Sequence, residues 1–152
     1  MKLAEALIER ADLQKRAAQL EERIVRNMLV QEREKPSEDP QQLLREFMEV
    51  TDALEVLIPR IHRANLSATL PDGMSLTAAL TRRDILDLRL QVLRRAAATA
   101  SERQTRYSNS EVRILSVIPA RDLQKQVDAL AKVRRELETQ IQQLNWLTEL
   151  PV

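Results

Sequence analysis

The chain has 152 residues, with 24 Lys or Arg against 23 Asp or Glu, a formal net charge of +1 at pH 7. Its aromatic residues are Phe47, Tyr107 and Trp146, its one glycine is Gly73, and it has no cysteine. One glycine cannot furnish the Gly-rich phosphate loops of nucleotide enzymes, a nucleophile elbow, or the tight hairpins of an all-β sandwich. Without cysteine there is no disulfide scaffold, thiol nucleophile or thiolate metal site.

Near-neutrality gives no general attraction to nucleic acid or to anionic lipid, so neither is an expected partner. The opening stretch carries Glu5 and Glu9 where a signal peptide needs an apolar core. No run approaches the roughly 18 uncharged apolar residues of a membrane span. A cytoplasmic location follows as the expectation. Charge is uneven along the chain: residues 36–65 hold 3 basic and 6 acidic side chains, residues 66–106 hold 7 and 4. The surplus is arginine, whose guanidinium fork suits phosphate or carboxylate as well as a solvated helix face.

The first element is a helix over about 2–33. Leu3, Ala6, Arg10, Leu13, Ala17, Leu20, Ile24 and Asn27 alternate by three and four, the spacing of a coiled-coil seam. Pro36 to Pro40 break it, with Asp39 as N-cap and Pro40 at the first position of the next helix. That second helix, about 40–65, repeats the seam in Leu43, Phe47, Val50, Leu54, Leu57 and Ile61. Leu44, Met48 and Ile58 widen it enough for two neighbours. Pro59 removes one main-chain hydrogen bond inside it, and a kink is expected there.

Pro71-Asp72-Gly73 makes a turn within residues 66–75, and Ser75 caps a third helix over about 76–103. Its seam is Leu76, Ala79, Arg83, Leu86, Leu90, Leu93, Ala97 and Ala100. The connection 104–119 includes the β-branched run Val112–Ile118, expected to be extended or hairpin-like. A fourth helix over about 120–144 carries Leu123, Val127, Leu130, Arg134, Leu137, Ile141 and Leu144. These elements predict an all-α fold: one domain, 1–152, built as a four-helix, coiled-coil-like up-down bundle. Trp146 is expected to cap one end of the core near Leu70 and Pro71.

Little chemistry is signalled. A di-iron bundle needs Glu-x-x-His pairs on two helices, and the single histidine, His62, has Pro59 where the glutamate belongs. Neither metal nor cofactor is expected, and no catalytic residue emerges. The polar residues on the seams are more telling. Arg10, Asn27, Arg83 and Arg134 stand at core positions, where a buried guanidinium has to be paired and one near the edge snorkels to water. For Arg83 or Arg134 a carboxylate from another helix is the expected partner.

The cluster Arg103, Arg106, Tyr107, Ser108, Asn109, Ser110, Glu111 and Arg113 gathers guanidinium forks, hydroxyls and the sole tyrosine in one connection. It is the candidate site for a ligand or protein partner, in particular a phosphate. Ile114 and Val117 are the candidate oligomer contact, because a lone apolar strand is marginal in water and leaves an open edge.

Several runs taken together, Met1–Leu7 with Arg10–Gln14, Leu70–Gly73, Leu80–Asp84, Arg103-Gln104 with Arg106–Ser108 and Ser110-Glu111, and Asn145-Trp146 with Thr148–Leu150, resemble the septicolysin-like family of small bacterial proteins. The resemblance implies a helical protein without an assigned activity or cofactor, and its label implies a cytolysin-like, membrane-acting alternative. The residues themselves favour a non-enzymatic protein that acts by self-association or by docking a protein partner.

Overall fold

The computed structural model describes residues 1–102 and 113–152. Four helices follow one another: α1 (Leu3–Arg26), α2 (Pro40–Ser67), α3 (Leu76–Ser101) and α4 (Ala120–Leu147). Among the described residues there is no strand, only an isolated antiparallel bridge between Lys2 and Glu149. The chain forms two compact units, residues 1–69 with 142–152, and residues 70–141.

In the first unit α1 packs along α2. Leu20, Leu43 and Val50 form the buried cluster, with Leu13, Ala17, Ile24 and Phe47 against it. Advancing along α1 moves the partner back towards and past the start of α2, from Arg16–Glu46 to Arg23–Glu38, so the two helices are antiparallel. The Glu5 carboxylate accepts the Lys2 N–H and holds the start of α1. Asp39 caps α2 as its sequence predicts, accepting the Gln41 N–H at 3.0 Å with Pro40 at the first position. α2 continues through Pro59. The tail 148–152 is tied to the same unit. Leu3 N–H donates to Thr148 O, Leu150 N–H to Met1 O, and Arg60 Nε to Pro151 O, each at 2.9 Å.

α1 is shorter than the apolar spacing predicts, ending at Arg26 rather than near Arg33. Asn27 is the cause. Its side chain, 7% exposed, donates from Nδ2 to the Arg23 carbonyl at 2.8 Å, and its Oδ1 accepts the Glu38 N–H at 3.0 Å. An asparagine that satisfies main-chain groups in place of the next turn stops the helix and fixes the returning strand of the loop. Met28, Leu29 and Val30, which continue the apolar pattern in sequence, lie exposed in that loop.

The second unit opens with the turn at Leu70–Met74. Gly73 N–H donates to Leu70 O at 2.9 Å, Leu70 N–H to Met74 O at 2.8 Å, and Asp72 Oδ1 accepts the Met74 N–H at 2.9 Å. Gly73 has φ +87°, which a side chain would strain. Ser75 Oγ accepts the Ala78 N–H and starts α3. α3 buries Leu76, Ala79, Leu86, Leu90 and Ala97, while α4 buries Leu123, Val127, Leu137 and Ile141. Residues 113–118 are neither helix nor strand. Trp146 is 54% exposed and does not seal the core; its neighbour Asn145 is buried instead.

Candidate functional site

The polar residues on the seams divide by surroundings. Arg134 of α4 forks onto Asp87 of α3, Nε to Oδ1 at 2.9 Å and Nη2 to Oδ2 at 3.3 Å. Its Nη1 lies 3.3 Å from Glu138 Oε2, and Arg83 Nη1 lies 3.6 Å from the same oxygen. Arg83 also reaches Asp84 at 3.4 Å. Two guanidinium groups and two carboxylates therefore tie α3 to α4 in one antiparallel register. The Arg134 fork holds the Asp87 carboxyl below its ordinary range, against a smaller opposing effect of desolvation. Asn27 is the α1 stop described above. Arg10 is half-buried, and its Nε has no hydrogen-bond partner among the described residues.

Of the proposed ligand cluster, Arg103, Arg106, Tyr107 and Glu111 lie outside the described residues, and Arg113 is exposed. Among the described residues no group of three or more His, Cys, Asp or Glu side chains is placed to hold a metal ion. No helix among them is long and apolar enough to cross a membrane.

The most distinctive surface is on α3. A residue advances about 100° around an α-helix, since 3.6 residues make a turn. The buried residues Ala79, Leu86, Leu90 and Ala97 share one face. Ile85, Leu88 and Val92 fall on the far side, and all three are exposed. Thr81 and Thr99 extend this outer stripe at both ends. The C-terminal half of α3 borders a groove of about 600 Å³, bounded by Val92, Arg95, Ala96, Thr99 and the segment Ile114–Ile118. Ile114, Leu115, Val117 and Ile118 are exposed there as well. Ser116 Oγ donates to the Ile118 carbonyl and helps shape that segment. The sequence reading singles out Ile114 and Val117 but not the α3 stripe. Its signal is nevertheless present, as a second set of apolar residues, 85, 88 and 92, spaced by three and four.

These features define a class: an all-α protein with exposed apolar residues on the outer face of α3 and along Ile114–Ile118. The chain belongs to a family described as "Family of unknown function (DUF6847)", whose model matches residues 10–150. It is similar to a solved protein described as a functionally unknown conserved protein from Corynebacterium diphtheriae. The two share 38% identity over 99% of each chain, with a TM-score of 0.93. Comparison with curated proteins gives no match. The resemblance to the septicolysin-like family is overturned by these matches, since neither carries that label. The short runs that suggested it are distributed over a chain whose residues 10–150 match another family's model. With the label goes the cytolysin-like alternative it implied.

Proposed function

We propose that this protein is a non-enzymatic helical protein that works through self-association, using the outer face of α3 and the segment Ile114–Ile118. The observation that carries the reading is the apolar surface of the second unit. Ile85, Leu88, Val92, Ile114, Leu115, Val117 and Ile118 lie between 43% and 99% exposed, and Val92 lines one groove with Ile114, Leu115, Val117 and Ile118, while Ile85 and Leu88 continue its stripe along α3. Scattered apolar residues are ordinary on a protein surface, but a contiguous patch marks an interaction site.

Magnitude supports the same reading. Fully covering a Val, Leu or Ile side chain contributes about 2 kcal/mol, so these seven offer on the order of 9 kcal/mol from each copy. Association costs about 4–15 kcal/mol in lost freedom, which two such faces together can exceed. Closed two-fold symmetry is the commonest way for one surface patch to cover itself. The test is multi-angle light scattering on the purified protein at micromolar concentration. Self-association gives a multiple of the 17.5 kDa chain mass, and a single species at 17.5 kDa refutes it.

A further inference from the structure

We infer that two copies pair through an antiparallel contact between their α3 helices, with the two-fold axis passing between Leu88 and Val92. This rests on the self-association reading and assigns its geometry. The groove and the residues suited to fill it lie on the same helix. The C-terminal half of α3, with Ile114–Ile118, forms the concave part, while Ile85 and Leu88 in the N-terminal half stand exposed outside it. A second α3 laid in the opposite direction places its Ile85 and Leu88 at the first copy's groove, and the reverse holds across the axis.

In that register Leu88 meets Val92 of the second copy, and Thr81 meets Thr99. Charge fits the same arrangement. Arg95 lines the groove and is exposed. Asp84 is exposed, with Arg83 of the same helix at 3.4 Å. Antiparallel pairing brings Asp84 of each copy beside Arg95 of the other, so the ion pair occurs twice. Opposite charges flanking an apolar seam fix direction and register more than they add affinity.

The absence of cysteine makes the geometry directly readable. Thr81→Cys and Thr99→Cys are substitutions at exposed helix positions at the two ends of the outer stripe, Thr99 at the edge of the groove, and neither belongs to the proposed ion pair. A disulfide needs Cα atoms about 4.4–6.8 Å apart. Across the proposed axis two copies of residue 81 stand roughly 27 Å apart at 1.5 Å rise per residue, and two copies of residue 99 likewise. Under oxidised glutathione each variant alone should stay uncrosslinked, and an equimolar mixture should give a covalent dimer. Self-crosslinking of either variant alone overturns the proposal in favour of parallel helices. Absence of crosslinks in the mixture, while scattering still shows a dimer, overturns the register but leaves self-association standing. A purely monomeric protein removes both.

The second readout is charge exchange. Asp84→Arg or Arg95→Asp alone should weaken the dimer by roughly tenfold, since each copy loses its pair. The double variant should recover most of that loss, and a double variant weaker than either single one counts against the pairing.

Discussion

Asn27 offers the sharpest test of how the chain turns out of α1. Replacing it by alanine removes two hydrogen bonds that lie almost out of water, the 2.8 Å bond to the Arg23 carbonyl and the 3.0 Å bond from the Glu38 N–H. A net hydrogen bond contributes about 1 kcal/mol, while a buried group left without a partner costs about 1–3 kcal/mol. Arg23 O also accepts the Asn27 main-chain N–H at 3.1 Å, so it keeps one donor. The Glu38 N–H is left more exposed to the loss. A total near 2–3 kcal/mol is therefore expected. Urea unfolding followed by helical circular dichroism at fixed protein concentration reads it, as a lower midpoint with an unchanged slope. Asn27→Asp keeps the acceptor for Glu38 and loses the donor to Arg23, so it should fall between the wild type and Asn27→Ala. A loss below about 0.5 kcal/mol for Asn27→Ala, the range of an ordinary surface change, would refute the assignment of Asn27 as the helix stop.

Acid should destabilise the fold through three carboxylates. Glu38, Asp87 and Glu149 are held below their ordinary range, chiefly by hydrogen bonds from Arg23, Arg134 and Lys2 respectively. Because the folded-state values are depressed, the stability they contribute is present above the unfolded carboxylate pKa of about 4 and is lost as pH falls through the folded values. The unfolding midpoint should drop over that window, and the triple amide variant (Glu38→Gln, Asp87→Asn, Glu149→Gln) should flatten the dependence. Gly73→Ala should cost about 1 kcal/mol from the left-handed backbone alone, since nothing lies within 4 Å of the added methyl. A melting temperature equal to the wild type would contradict a strained site there.

Four helices were legible because their apolar residues repeat every three and four positions, and because Asp39-Pro40 and Ser75 announce two of the starts. The end of α1 was not legible. Met28-Leu29-Val30 prolong the apolar pattern, and Asn27 reads as a polar intrusion unless the Glu38 amide it holds is known. The seam positions predict an acidic partner from another helix for Arg83 or Arg134, but which acid it is depends on the register of α3 against α4, which no local spacing encodes. Asp87 and Glu138 each sit among many surface acids in the sequence.

The outer stripe of α3 is hard to read in the sequence for a different reason. A strong seam through Leu86 and Leu90 already accounts for the helical pattern, and Ile85, Leu88 and Val92 do not stand out beside it. Only their exposure, on the face opposite that seam, sets them apart from the core residues of the same helix.

The self-association face is tested most directly by placing aspartate at both Ile114 and Val117 and measuring mass by sedimentation equilibrium. These residues are 69% and 99% exposed in the single chain, so neither substitution disturbs buried packing. Covering both contributes on the order of 3 kcal/mol per copy, and a two-fold contact counts each residue twice. The double variant should dissociate more than a thousandfold more readily, at one decade per 1.4 kcal/mol, with unchanged helical circular dichroism. A wild-type oligomer whose mass and dissociation constant are indifferent to both charges would contradict the assignment of this face as the contact.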